Sequence, residues 1–274
     1  MKSPLINVQQ LRNLSHSHNI ILLDATIDKV NEKIDNNNIS LIPNSIFFDI
    51  EGVFSDHSTG LPHTMVDPIT FTAHVQNLGI NQDSIVIIYD RWGVYSSPRA
   101  WWMFRYMGHE QTYVLDGGVK AWQIADLPVS NRHHIPTERG NFQSVVQADW
   151  FKNTKDILQH LKSKTSTIID ARGAGRFSGT VAEPRPGVRS GHIPTSSNLP
   201  FDQVLEGPFL KDKALLEPLF APHLREAHSN IFTCGSGITA SILALAAYQT
   251  GVKNIAVYDG SWAEWGADHA LPME

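Results

Sequence analysis

Short unbroken apolar runs, each followed by a stretch long enough for a helix, recur along this chain. Ile20-Ile21-Leu22-Leu23 closes on Asp24-Ala25, Ile85-Val86-Ile87-Ile88-Tyr89 on Asp90, and Tyr113-Val114-Leu115 on Asp116. Continuous apolar runs, as opposed to alternating ones, predict strands buried on both faces, as in a parallel sheet covered by helices. The same signals return in order in the second half: Thr167-Ile168-Ile169 before Asp170-Ala171, Ile231-Phe232-Thr233 before Cys234, and Ala256-Val257-Tyr258 before Asp259. Asp24 and Asp170 are 146 positions apart, Asp90 and Cys234 are 144 apart, and Asp116 and Asp259 are 143 apart, as are Trp122 and Trp265. A repeat of this length implies duplicated domains, since solenoid units run to only about 20–50 residues. The expected fold is therefore α/β, two tandem domains that are each a parallel sheet flanked by helices.

The polar, aperiodic stretch from Ser130 to Asn141 marks the junction. The expected division is 1–129 for the first domain, 130–148 for a linker and 149–274 for the second domain. A helix is expected from Asp149 to Lys162 and another from Thr239 to about Tyr248. The aromatic group Trp101-Trp102-Met103-Phe104-Tyr106 reads as a helix packed into a core or an interface between the domains.

In open parallel sheets the ligand site lies beyond the carboxyl ends of the strands. Asp90 and Cys234 both fall there, one in each copy. Cys234 is followed by Gly235-Ser236-Gly237 and then an apolar helix. Strand, tight glycine loop and helix start together point backbone N–H groups and the positive helix end at the loop. A thiol in that position is expected to be a strong nucleophile that carries a transferred group. A lone cysteine is often an ordinary core residue, but the glycines and the helix behind them favour the reactive reading.

Composition narrows the chemistry. The 274 residues are 42% hydrophobic and 18% charged, ordinary for a globular protein. A net charge of -5 gives no electrostatic footprint for nucleic acid or an anionic membrane, so neither is expected as a partner. One cysteine excludes an intramolecular disulfide and leaves a loaded Cys234 with no resolving thiol in its own chain. The first ten residues lack the apolar core of a signal peptide, and no run reaches the length of a spanning helix. A cytoplasmic location is expected.

The second copy carries a basic loop after its first strand, with Arg172, Arg176, Arg185 and Arg189 among glycines and prolines. Arginine forks bind carboxylates, so a small anionic substrate is the natural inference. The alternative for any one of them is pairing with Asp170 or Glu183, and Arg172, directly after the strand end, is the expected structural member. Of the thirteen histidines, His16, His18, His133 and His134 are expected to be solvated. No set resembles a metal site, and no cofactor is expected. His63, after the acidic stretch Asp49-Ile50-Glu51, stays open between a surface and a functional role.

Together these motifs resemble the two-domain rhodanese-type sulfurtransferases, and within them the 3-mercaptopyruvate sulfurtransferases. The resemblance runs from Ile20-Ile21-Leu22-Leu23-Asp24-Ala25 to Asp259-Gly260-Ser261-Trp262-Ala263-Glu264-Trp265-Gly266. It includes Phe47-Phe48-Asp49-Ile50, Ser97-Pro98-Arg99-Ala100-Trp101-Trp102, Gly175-Arg176-Phe177, Glu183-Pro184-Arg185 and Gly191-His192-Ile193-Pro194. Its most specific part is Cys234-Gly235-Ser236-Gly237-Ile238-Thr239. Thiosulfate-preferring relatives typically have basic residues at the two positions after the cysteine, whereas this chain has Gly235 and Ser236.

The resemblance implies two rhodanese-like domains, of which only the second is catalytic because Asp90 replaces the thiol in the first. It implies that Cys234 takes sulfur from 3-mercaptopyruvate as a persulfide, releases pyruvate, and passes the sulfur to a thiol, thioredoxin or cyanide. Gly235, Gly237, Ile238 and Thr239 would supply the substrate-binding loop, and Arg176 and Arg185 would hold the substrate carboxylate and carbonyl. Ser236 would act with His63 and Glu51. The segment Gly52-Val53-Phe54 is one residue longer than the family pattern, and Glu51 stands where Asp is commoner.

Two alternatives remain at this level, and a third nearly disappears. Cysteine phosphatases need an arginine six positions after the nucleophile, where this chain has Ala240. Thiosulfate as the main donor, the rhodanese reaction, would use the same cysteine. A non-catalytic module that binds a persulfide or a partner would not need the thiol.

Overall fold

A computed structural model describes residues 3–14, 19–225 and 229–274. His16 and His18, expected as solvated, lie outside the described residues. The chain divides into two compact units. The first comprises Met1–Ser55, Met65–Gln147 and Gly207–Leu210, and the second Asp56–Thr64, Ala148–Glu206 and Lys211–Glu274.

The first unit contains strands β1 (Leu5–Ile6), β2 (Ile20–Asp24), β3 (Ile46–Phe47), β4 (Ile85–Tyr89) and β5 (Thr112–Leu115), joined in the parallel order β1-β5-β4-β2-β3. Its helices are α1 (Val8–Leu14), α2 (Pro68–Asn77), α3 (Ser97–Tyr106) and α4 (Gly118–Ile124). In the second unit β6 (Phe151–Lys152), β7 (Ser166–Asp170) and β8 (Ser197–Asn198) precede two short strands, β9 (Leu205–Glu206) and β10 (Phe209–Leu210), the latter within the first unit's segment. β11 (Ser229–Thr233) and β12 (Ile255–Tyr258) complete a second parallel sheet, ordered β6-β12-β11-β7-β8. Replacing each strand by its counterpart converts one order into the other, so the repeat seen in the sequence is a repeat of topology. Helices α5 (Thr154–Ser163), α6 (Ala174–Phe177), α7 (Lys213–Phe220), α8 (Ile238–Thr250) and α9 (Ser261–Trp265) flank it.

The unbroken apolar runs are buried as expected: Val86 to Tyr89 and Ile231 to Thr233 are all inaccessible. Helix α8 is apolar all round, and it is buried from Ala240 to Ala247, the environment such a helix requires. The aromatic residues of α3 are core, with Trp101, Trp102 and Phe104 at 1% exposure or less.

Two expected boundaries move. The second unit's first helix begins at Thr154, because Asn153 and Asp156 form a reciprocal capping box that fixes the start; Trp150 precedes it in a short 3₁₀ turn. Residues 130–147 are laid along the first unit. Ser130 pairs with Leu41, Phe142 is fully buried among Phe71, Phe104 and His109, and Gln147 N–H donates to Tyr106 at 2.8 Å. His133, expected in solvent, reaches Asp24 with its Nε2 at 2.9 Å.

That contact answers a requirement of the fold. The carboxylate ending the strand next to the central one is buried in both copies, Asp24 at 1% and Asp170 at 0%, and a buried carboxylate needs partners. Thr26 and His133 serve Asp24, while Arg172 serves Asp170.

The loop after β4 shows what the strand-to-helix junction collects. The Asp90 carboxylate accepts N–H groups from Trp92 and Gly93 on one oxygen, both at 2.9 Å. On the other it accepts those of Tyr95, Ser96 and Ser97 at 2.8, 3.0 and 2.9 Å, plus the Ser97 hydroxyl at 2.6 Å. Asp90 is fully buried, so the loop is organised around its own anion. Asp90→Ala should therefore leave these donors unmatched and lower unfolding free energy by about 3 kcal/mol in urea titration. A loss below about 1 kcal/mol would contradict that view of the loop.

The core also carries a pH-dependent element. Burial between Phe104 and Phe142 pushes the His109 imidazole down to about 4 from 6.5. Between those values the unfolded chain binds a proton that the folded chain refuses, so stability is fully present above about 6.5 and falls as pH is lowered towards about 4. The slope from this group reaches at most about 1.4 kcal/mol per pH unit. His109→Leu should flatten the pH dependence of the urea midpoint across that window, and an unchanged slope would contradict the assignment.

Candidate active site

Cys234 is the first residue after the central strand β11, in the position Asp90 holds after β4. It is 2% exposed and is the chain's single cysteine. Parallel pairing puts Thr233 opposite Asp170, so the cysteine loop starts beside the buried Asp170–Arg172 pair. Gly237 then takes the left-handed conformation, φ +83°, which turns the chain into α8 without a Cβ penalty.

The backbone of the loop is held from behind. Cys234 C=O accepts from Trp262 N–H and Gly235 C=O from Ala263 N–H, both at 2.9 Å. Cys234 N–H donates to the Ser261 hydroxyl at 3.3 Å, and that hydroxyl donates to Tyr258 C=O at 2.8 Å. By contrast, the N–H groups of Gly235, Ser236, Gly237, Ile238 and Thr239 have no acceptor among the described residues. They form an uncommitted run of donors at the start of a thirteen-residue helix. In the first unit the equivalent donors are spent on Asp90.

Two guanidiniums border this run. A methyl group built on Gly235 would lie 3.1 Å from Arg176 Nη2 and 3.7 Å from Arg185 Nη1, so the glycine gives both arginines access to the loop. Arg176 is held by Glu183, which accepts from its Nε at 3.0 Å and its Nη2 at 2.5 Å. Arg185, half-buried, makes no side-chain hydrogen bond or ion pair among the described residues.

The other two arginines of the basic loop are structural. Arg172 chelates Asp170, donates to Glu183 at 2.8 Å and to Gly191 C=O at 2.8 Å, and stacks on Trp262. Burial works against its charge, but Asp170 and Glu183 outweigh burial and raise its pKa further. Arg189 donates to the carbonyls of Trp265, Gly266, Asp268 and Leu271 and so fastens the C-terminal turn.

His63 Nδ1 lies 2.9 Å from the Ser236 hydroxyl, and Ser236 is 7% exposed. The segment Asp56–Thr64 belongs to the second unit, although by sequence position it falls in the first domain. Its turn is internally fastened: Asp56 N–H donates to Thr64 C=O at 2.8 Å, Asp56 accepts from Ser58, and Thr59 bonds Thr64. His63 itself sits at φ +62°, a left-handed position uncommon outside glycine that histidine adopts more readily than most residues. Glu51 belongs to the first unit. It is exposed in the turn after Phe48 and lines an open cavity of about 280 Å³ with Asp24, Asp28, Arg91 and His133. The second unit thus brings together Cys234, Gly235, Ser236, Gly237, Ile238, Thr239, Arg176, Arg185 and His63, and Glu51 is placed with the other unit.

Two residues at this site escaped the sequence reading. From the sequence Glu183 reads only as an alternative to Asp170 as a partner for one of the arginines. Ser261 holds φ +50°, where its counterpart Gly118 holds +53°. A Cβ at Gly118 would collide with Asp90 C=O at 2.2 Å, so glycine is required there, whereas Ser261 accommodates a hydroxyl that engages the cysteine peptide. The Gly-to-Ser exchange between the repeats was the available signal. Among the described residues no group of His, Cys, Asp and Glu is arranged to hold a metal, and no helix is long and apolar enough to cross a membrane.

Chemically, a buried thiol heads a run of free N–H donors, flanked by one paired and one unpaired guanidinium and by a serine–histidine pair. Such an arrangement stabilises negative charge built on or beside the cysteine sulfur. The rhodanese-like domain family matches residues 7–125 and 153–268, one match in each repeat. The 3-mercaptopyruvate sulfurtransferase of Escherichia coli K12 is 40% identical over 234 residues, covering 85% of this chain and 83% of that protein. A mitochondrial thiosulfate/3-mercaptopyruvate sulfurtransferase of Arabidopsis thaliana is 32% identical over 296 residues, covering 99% and 78%. The crystal structure of SseA from Escherichia coli, a 3-mercaptopyruvate sulfotransferase of rhodanese fold, aligns with a TM-score of 0.84 at 33% identity, covering 95% of this chain and 99% of that one. The chain therefore belongs to the two-domain rhodanese-type sulfurtransferases and is similar to their 3-mercaptopyruvate sulfurtransferase members.

Proposed function

We propose that the protein transfers sulfur from 3-mercaptopyruvate through a persulfide on Cys234 to a thiol, thioredoxin or cyanide, releasing pyruvate. The observation that carries this reading is the buried Cys234 at the head of a run of N–H donors that have no acceptor among the described residues. Asp90 supplies an internal reference. The outer sulfur of a cysteine persulfide lies the same number of bonds from Cα as the carboxylate oxygens of aspartate. Where the first unit gathers N–H groups around Asp90, the second would gather them around the outer, anionic sulfur.

In the loading step the Cys234 thiolate attacks the donor sulfur and an S–S bond forms. The donor C–S bond breaks with its electron pair going to carbon, which leaves the enolate of pyruvate. Arg185, the unpaired cation, holds the carboxylate, and Arg176 donates to the carbonyl oxygen where the enolate charge develops. A proton then completes the methyl group of pyruvate, and the hydrogen-bonded Ser236–His63 pair supplies a side-chain route for moving it. In the second step an external nucleophile attacks the outer sulfur and returns Cys234 as thiolate. With one cysteine in the chain, the discharging thiol must come from elsewhere. The small net charge and ordinary composition support a small-molecule donor over nucleic acid or membrane partners.

Ala240 stands where a phosphatase would need its phosphate-binding arginine. Thiosulfate as main donor is the competing reading that a specific observation keeps alive, since Arg176 and Arg185 would bind any sulfur oxyanion.

Steady-state kinetics with both donors separates the readings. 3-Mercaptopyruvate should exceed thiosulfate in kcat/KM by at least about tenfold, and an excess for thiosulfate would overturn the donor assignment. In the same assay Arg185→Ala should raise KM for mercaptopyruvate by about ten- to a hundredfold, the loss expected for a charge-assisted contact. An unchanged KM would remove Arg185 from the site.

A further inference from the structure

We propose that Glu183 sets the charge of the donor that the site accepts: by neutralising Arg176 it tunes the loop for a monoanion over a dianion. This inference rests on the sulfur-donor reading above and deepens it.

The argument is a charge count around one buried carboxylate. Glu183, with a side chain 3% exposed, is clamped between two guanidiniums, Arg172 Nη1 at 2.8 Å and the Nε–Nη2 edge of Arg176. Arg172 is already committed to Asp170, both being 1% exposed in their side chains. Arg172, Arg176 and Arg185 with these two carboxylates therefore leave a net charge of one, and of the three the guanidinium without a carboxylate partner is Arg185; Arg189, the loop's fourth, is spent on the carbonyls of the C-terminal turn. Glu183 also fixes the direction of Arg176. With one edge held, the Nη1–Nη2 end remains turned to Gly235, as the 3.1 Å and 3.9 Å approaches to a built methyl record. A site with one free cation and one neutralised, oriented donor suits a 2-oxo acid, with a single carboxylate and a neutral carbonyl oxygen. A dianion would bring a second charge into a half-buried place where, among the described residues, no second free cation meets it. In the first unit the matching carboxylate, Asp24, is served by Thr26 and His133 in place of an arginine.

The test is the ratio of kcat/KM for thiosulfate to that for 3-mercaptopyruvate in wild type, Glu183→Gln and Glu183→Asp, at low and high salt. Removing the carboxylate charge should raise the ratio on the order of tenfold in Glu183→Gln at low salt, with the gain shrinking at high salt. Glu183→Asp keeps the charge and should leave the ratio within about twofold while lowering both activities. If Glu183 only braces Arg176, both donors fall together in Glu183→Gln and the ratio stays put, which overturns the proposal. Should Glu183→Gln fail to fold, the wild-type protein still decides, through competitive inhibition by methanesulfonate and sulfate, tetrahedral anions that differ by one charge. Inhibition constants within a few-fold of each other support the count of one free cation, and a preference for sulfate of about tenfold or more at low salt overturns it. A wild-type enzyme that favours thiosulfate would instead defeat the donor assignment, so the two failures are distinct.

Discussion

Everything at this site depends on the supply of unpaired backbone N–H groups where a parallel strand turns into a helix. A parallel sheet delivers its central strand's carboxyl end to one edge, and the helix that follows begins with N–H groups that have no partner within it. Such donors must be satisfied by something anionic or polar. The chain answers the requirement in two ways. In the first copy Asp90 folds its carboxylate into the loop and is fully buried there. In the second, Cys234 heads the loop and the N–H groups remain uncommitted. The same topology thus closes the loop on its own carboxylate in one half and leaves the loop's donors uncommitted in the other.

The arginines extend this logic from sulfur to substrate. Four leave the same loop, and two of them, Arg176 and Arg185, approach Gly235 next to Cys234. Arg172 and Arg189 are spent on Asp170 and on C-terminal carbonyls, contacts that shape the walls of the site. Arg176 and Arg185 differ in how far they are neutralised, and in the proposed reaction a carboxylate would go to the free cation while developing charge on a carbonyl oxygen would meet the held one.

Much of this was legible in the sequence because it depends on local pattern. Unbroken apolar runs gave the buried parallel strands, the repeat of Asp24, Asp90 and Asp116 at Asp170, Cys234 and Asp259 gave the duplication, and Gly235 and Gly237 marked the loop. Less legible were features set by long-range packing. His133 and Phe142 lie in a polar stretch that reads as a linker, but a buried carboxylate at Asp24 and an aromatic core draw them onto the first unit. The segment carrying His63 crosses to the other unit's set, which no local signal announces. Ser261 was hidden because its role depends on a backbone angle that serine rarely adopts. The partition of the arginines required knowing which of them Glu183 reaches.

The central claim is that Cys234 carries the sulfur, and intact-protein mass spectrometry after donor treatment tests it most directly. Incubated with 3-mercaptopyruvate and freed of excess donor, the protein should gain the mass of one sulfur atom, located on the Cys234 peptide and removed by cyanide. Cys234→Ser should show no gain. A wild-type protein that turns over donor without this adduct, or a serine variant that still acquires it, would contradict the account.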